Sequence, residues 1–168
     1  EVVDIEEYIT RIRAARAAKD KAGSDIVLIG RTDALQKHGY EEAIKRLKAA
    51  VEAGAEVGQL EGVTSREMAK QAVRDMAPTP LLLNMVEHGA TPIISTSEAE
   101  EMGFRIMIFS FAGLAPAMKA IRETFQKIKD NGITGIEAGQ SPKSIFKICG
   151  LDEAMEWDKR VGGQMNGA

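Results

Sequence analysis

Four polar residues stand at the ends of four apolar runs: Arg31, Glu61, Asn84 and Ser110. A guanidinium offers a rigid fork of donors matched to a carboxylate or phosphate. A carboxylate accepts hydrogen bonds, whereas an amide and a hydroxyl can each donate and accept. If the four runs are parallel strands, all four residues project at one rim, and together they suit a small-acid site. Each also has a plainer structural use. Arg31 and Asp33 would pair to close their strand, Glu61 would cap a helix, Asn84 would satisfy a turn, and Ser110 would cap the long helix that follows.

The elements that would position them alternate regularly. Residues 26–29 are a continuous apolar run, β-branched at three of four positions, which predicts a strand buried on both faces and ended by Gly30. Ahead of it, Ile5, Tyr8, Ile9 and Ile12 recur at helical spacing, and a helix should end near Gly23. Its arginines and lysines (Arg11, Arg13, Arg16, Lys19, Lys21) read as a solvated face. A loop with His38 and Gly39 leads to a second helix carrying Ala43, Ile44, Leu47 and Val51, stopped by Gly54. Residues 56–61 are the next short strand. Thr64 and Glu67 have capping-box spacing for a third helix with Met68, Ala69, Ala72 and Met76.

Pro78 and Pro80 bracket the turn into a third strand, residues 81–83, that ends at Asn84. Ser95 and Glu98 offer a second capping box for a short helix ending at Gly103. Residues 105–109 form the fourth strand, and a long helix beginning near Ala112 carries Leu114, Met118, Ile121, Phe125 and Ile128 as far as Gly132. Strands alternating with covering helices imply parallel pairing and right-handed crossovers. A doubly wound sheet is one solution, but no glycine-rich GxGxxG turn follows any strand. Four consecutive βα units are also half of a (β/α)8 barrel of about 250 residues. The expected architecture is therefore α/β, the C-terminal half of a TIM-type barrel (its strands 5–8) over residues 1–132, with a helical tail over residues 133–168. In that tail residues 135–139 form a loop, Ser141-Pro142 opens a short helix, Asp152 starts another, and residues 162–168 fray. Two small helices of this kind usually pack on a neighbouring subunit.

The 168 residues suffice for one sizeable core. A net charge of −3 without a basic cluster argues against a nucleic-acid partner. No apolar run approaches the roughly 20 residues of a membrane span. The single Cys149 leaves no intrachain disulfide and no clustered cysteine metal site; it reads as a packed thiol on an apolar helix face, in keeping with a reducing, cytoplasmic setting. His38 and His88 lack ligand spacing. The chain opens directly into helical periodicity, so it is expected to be a piece of a longer protein.

Several stretches also carry a family resemblance: GRTDAL after a strand, the helix EEAIKRLKAAVEAGAE, then LE, LLLNMVEHGATP and MGFRIMIFSFAGLAPAMKAIRET. Together they resemble the isocitrate lyase/phosphoenolpyruvate mutase superfamily over nearly the whole chain, as the C-terminal half of its smaller, methylisocitrate-lyase-like members. The resemblance implies a Mg²⁺-dependent (β/α)8 barrel that breaks or makes a C–C or P–C bond beside a carboxylate of a small dicarboxylate substrate. It further implies a homo-oligomer, a tetramer with an exchanged C-terminal helix. By motif, Arg31 would bind the substrate carboxylate, and Glu61 and Asn84 would contact substrate. Ser110 stands where many relatives have proline, and serine there resembles the oxaloacetate-hydrolysing branch. A lyase of the 2-methylisocitrate or dimethylmalate kind, a phosphonate mutase and a non-catalytic assembly module remain the alternatives. The acidic metal ligands and the cysteine loop of the family would lie upstream of residue 1, so the stretch alone should be inactive.

Overall fold

The computed structural model describes residues 1–137 and 139–164. Two compact units divide it, the first from Glu1 to Ala112 and the second from Gly113 onward. In the first unit the order is α1 (Ile5–Ala22), β1 (Ile29–Thr32), α2 (Leu35–Glu52), β2 (Val57–Leu60), α3 (Arg66–Met76), β3 (Leu82–Asn84), α4 (Thr96–Met102) and β4 (Ile106–Ile108). β1 pairs in parallel with β2, and β3 with β4. A single parallel bridge between Gly58 and Leu81 joins the two pairs, supported by the Gly58 N–H donating to the Pro80 carbonyl at 3.0 Å. The strands thus run in sequence order and in one direction, as βα alternation requires.

The helices supply the cover. α2, α3 and α4 bury Ala43, Leu47, Ala69, Ala72, Met76 and Ala99 against Leu60, Leu81, Leu83 and Phe104 from the strand side. A smaller cluster joins Ile12 of α1 to Ala50 and Ala55, with Tyr8 and Leu28 packed against it. Helix ends follow local chemistry. Gly23 and Gly103 take left-handed backbone after α1 and α4, and Ser95 with Glu98 forms a reciprocal capping box at the start of α4. On α1 the basic residues are largely matched: Arg11 pairs with Glu7, Arg16 with Asp20, and Lys19 with Glu56.

Several boundaries differ from the sequence reading, each for a tertiary reason. β1 begins at Ile29 rather than 26, and Ile26 and Val27 are 65% and 54% exposed. The ladder starts only where the Leu28 carbonyl accepts from the N–H groups of Glu56 and Val57, and among the described residues those before it have no partner strand. Nor is β1 buried on both faces; among the described residues only β2 lies beside it, and its residues alternate exposed and buried. Gly30 does not end the strand but lies inside it. A Cβ there would sit 3.1 Å from the Cβ atoms of Ala50 and Ala55 and 3.3 Å from the Tyr8 hydroxyl, so its role is close approach. The α3 cap is Ser65, not Thr64: extended backbone at Ser65 aims its Oγ at the Met68 N–H, 3.0 Å away. His38 falls in the first turn of α2, which kinks at Gly39 (φ 81°, ψ 176°) instead of starting after it.

The second unit holds α5 (Leu114–Asn131), α6 (Pro142–Ile148) and α7 (Leu151–Arg160). α5 starts after Gly113 with no side-chain cap, so Ser110 does not cap it. Its apolar stripe, Leu114, Met118, Ile121, Phe125 and Ile128, is exposed. Ser141 and Pro142 open α6 as expected, but Cys149 is exposed rather than packed, because α6 is a two-turn helix with no buried residue. Of the fraying expected over residues 162–168, positions 165–168 lie outside the described residues, as does Ala138 of the 135–139 loop.

Candidate active site

Parallel strands deliver their carboxyl ends to one rim, and the four predicted residues meet there. Arg31 is the third residue of β1, Glu61 follows β2, Asn84 ends β3, and Ser110 lies two residues beyond β4. The rim is stitched by backbone bonds: the Glu61 N–H donates to the Thr32 carbonyl at 3.1 Å, and the Met85 N–H to the Ile108 carbonyl at 2.8 Å.

The side chains form one continuous polar chain. Arg31 donates to both oxygens of Asp33, from Nη2 at 2.8 Å and Nε at 3.2 Å, and its Nη1 lies 3.6 Å from Glu61 Oε2. Asn84 Nδ2 donates to the two Glu61 oxygens at 3.3 and 3.4 Å. Ser110 Oγ donates to Asn84 Oδ1 at 2.7 Å. The pairing of Arg31 with Asp33 and its meeting with Glu61 thus hold together. The Asp33 hydrogen bond raises the Arg31 guanidinium above its ordinary value against a lowering by partial burial, with Glu61 adding to the rise, so the cation is permanent. Its side chain is 47% exposed and that of Glu61 22%; Asp33 occupies the Nε/Nη2 edge, so an incoming anion is met by the remaining N–H groups of Nη1 and Nη2. Such an arrangement can bind one carboxylate at Arg31 and orient neutral oxygens beside Asn84 and Ser110.

The family model of phosphoenolpyruvate phosphomutase matches residues 1–129. The 2-methylisocitrate lyase of Halalkalibacterium halodurans is 32% identical over 163 residues, 96% of this chain and 53% of the relative. The chain belongs to the phosphoenolpyruvate mutase/isocitrate lyase superfamily. Among solved members of the superfamily, a 2,3-dimethylmalate lyase superposes with a TM-score of 0.93 at 60% identity, over 96% of this chain and 57% of that one. An oxaloacetate acetylhydrolase in complex with 3,3-difluorooxalacetate superposes with a TM-score of 0.96 at 55% identity, over 99% of this chain and 56% of that one. The chain therefore spans about half the length of the relatives it matches.

One site residue escaped the sequence reading. Gln59 is 6% exposed, pairs in register with Arg31, and donates from Nε2 to Glu61 Oε2 at 2.9 Å. Its signal was a lone amide inside an otherwise apolar strand, two residues before Glu61 and so on the same face. The histidines do not join the site's hydrogen-bond chain; both are exposed, and His88 takes left-handed backbone (φ 63°) in the loop after β3. The family implies a divalent metal, but the rim's donors are already engaged with one another. Asp33 is held by Arg31, Glu61 receives Gln59, Asn84 and Arg31, and no group of three or more His, Cys, Asp or Glu among the described residues could hold an ion. These residues do not by themselves fit a metal. Among the described residues no helix is long and apolar enough to cross a membrane.

Proposed function

We propose that the protein carrying this chain hydrolyses oxaloacetate to oxalate and acetate, using this rim as half of the active site of a (β/α)8 barrel. The observation that carries the reading is the 2.7 Å bond from Ser110 to Asn84, which makes the hydroxyl part of the rim while α5 begins without it. The high likeness to an oxaloacetate acetylhydrolase supports it.

The chemistry balances without any further co-reactant. Water adds across the C2 carbonyl to give a gem-diol, one diol hydroxyl loses its proton, and the C2–C3 bond breaks. Its electron pair moves to C3 as the enolate of acetate, C2 becomes a carboxyl of oxalate, and C3 takes up a proton. Arg31 neutralises a substrate carboxylate and the negative charge building beside it, an electrostatic role usually worth several kcal/mol. Glu61 acts as the catalytic carboxylate that orders Asn84 and accepts from the substrate side, and Asn84 with Ser110 holds the hydrated carbon. Proline at position 110 would have neither side-chain hydroxyl nor backbone N–H to offer. Mg²⁺ is the metal proposed for the complete protein, with acidic ligands outside this stretch. The exposed stripe on α5 and the apolar residues of α6 and α7 are in keeping with a homo-oligomer, and a cytoplasmic setting with the single free cysteine.

A second reading, a lyase of the 2,3-dimethylmalate type, is favoured by the 60% identity to such an enzyme. A retro-aldol substrate already carries its C2 hydroxyl and has no hydrate to hold. The test is Ser110→Pro and Ser110→Ala in the full-length protein, with oxalate release from oxaloacetate as the readout. Each should lose at least about tenfold in kcat/KM, the scale of one hydrogen bond made in the transition state. Parental rates in both would remove Ser110 from the mechanism and leave the lyase reading in front.

A further inference from the structure

We propose that Gln59 is a positioning residue: it holds the Glu61 carboxylate so that the Asn84 amide is locked in one orientation and Ser110 faces the site only as a hydrogen-bond acceptor. The inference rests on the function proposed above and specifies the form of substrate the site takes.

Gln59 lies in β2 opposite Arg31 and is buried. A buried amide costs free energy unless it is bonded, and for filling space alone an apolar side chain of the same size serves better. Its bond to Glu61 Oε2, at 2.9 Å, is shorter than the Asn84 bonds at 3.3 and 3.4 Å and the Arg31 contact at 3.6 Å. A carboxylate only accepts, so Asn84 must turn Nδ2 toward Glu61, which places Oδ1 toward Ser110. That oxygen also only accepts, so the Ser110 hydroxyl commits its one proton to Asn84. What Ser110 Oγ then presents to the site is lone pairs. A ligand atom that meets it must bring a proton, as the hydroxyls of a hydrated C2 do and as a ketone or an oxalate oxygen does not.

Without Gln59 the carboxylate keeps only the longer contacts and is free to turn toward the guanidinium. Asn84 then loses the partner that sets its orientation. Rotated by half a turn, the amide presents Nδ2 to Ser110, the hydroxyl becomes a donor, and the preference for a hydrated carbon is lost.

The test compares two ligands on the full-length protein by calorimetry. 3,3-Difluorooxaloacetate has fluorines beside C2 that favour the hydrate in water, whereas oxalate carries no hydroxyl. Gln59→Met, which keeps the volume and removes the donors, should weaken the fluorinated ligand about tenfold and oxalate no more than about threefold. With oxaloacetate as substrate, kcat should fall more than KM. The loss should vanish when Ser110→Ala is already present, because the two residues act in series and their effects are not additive. Gln59→Glu, which keeps the shape but sets a second carboxylate against Glu61, should weaken the fluorinated ligand at least as much as Gln59→Met. Equal loss for both ligands, additivity with Ser110→Ala, or wild-type binding by Gln59→Glu would each assign Gln59 to packing and overturn the proposal. A wild-type protein that neither binds the fluorinated ligand nor consumes oxaloacetate would overturn the function itself, and this inference with it.

Discussion

Gly30→Ala places one methyl group where three neighbours already converge. The added Cβ would stand 3.1 Å from the Cβ atoms of Ala50 and Ala55 and 3.3 Å from the Tyr8 hydroxyl, all tighter than ordinary van der Waals contact. The Tyr8 ring can swing, but the two alanine methyls are fixed to backbone, Ala50 within α2 and Ala55 in the turn into β2. Relief therefore means shifting β1 outward by a few tenths of an ångström or separating α2 from it. Overpacking of this kind costs about 1–3 kcal/mol, and in a protein of 150–250 residues each kcal/mol lowers Tm by about 2–4 °C. The expected drop is then about 2–12 °C. Arg31 is the next residue, so the same shift moves the guanidinium relative to Glu61, and activity should fall further than stability alone explains. Gly113→Ala is the control, since Gly113 has negative φ and nothing within 4 Å of its would-be Cβ. Differential scanning calorimetry of both variants decides the matter. An unchanged or higher Tm for Gly30→Ala would refute the close-approach account of that glycine.

Arg31→Lys keeps the charge but cannot donate to both Asp33 oxygens and face Glu61 at once; kcat/KM should fall tenfold or more, about 1.4 kcal/mol, and unchanged kinetics would remove Arg31 from the site. Burial pushes the Tyr8 phenol up to about 12, with Arg46 pulling the other way. Because the folded value lies above the ordinary one near 10, the stability contributed is complete below about pH 10 and is lost as the pH rises toward about 12. Tyr8→Phe should remove that part of the alkaline loss in urea melts at pH 9 to 12, and should cost little at neutral pH because the buried hydroxyl has no hydrogen-bond partner among the described residues. Ser95→Ala opens the capping box of α4 and should cost about 1 kcal/mol, read from chemical denaturation.

The alternation of apolar runs with 3.6-residue periodicity was enough to order the parallel strands and the helices between them, because period and turn chemistry are local properties. It also placed Arg31, Glu61, Asn84 and Ser110 at one rim, since residues in or just past the carboxyl ends of parallel strands share one end. Of the two capping boxes expected, Ser95 with Glu98 forms at α4, whereas at α3 the hydroxyl one residue after Thr64, Ser65, has the extended backbone that lets it reach Met68. What tertiary structure decided was which neighbours each residue has. Residues 26 and 27 are as β-prone as Ile29, yet only from Leu28 onward does β2 offer carbonyl and amide partners. Gly30 looked like a terminator because a lone glycine breaks a pattern; the close methyl groups of Ala50 in α2 and Ala55 in the turn after it, a proximity invisible in the sequence, are the actual reason for it. Gln59 drew no reading of its own from the sequence, and its importance exists only once Glu61, Asn84 and Ser110 come within hydrogen-bond reach. The competition over Ser110 between helix cap and rim was likewise decided by distance: the hydroxyl reaches Asn84, 26 residues away in the chain, while α5 begins at Leu114.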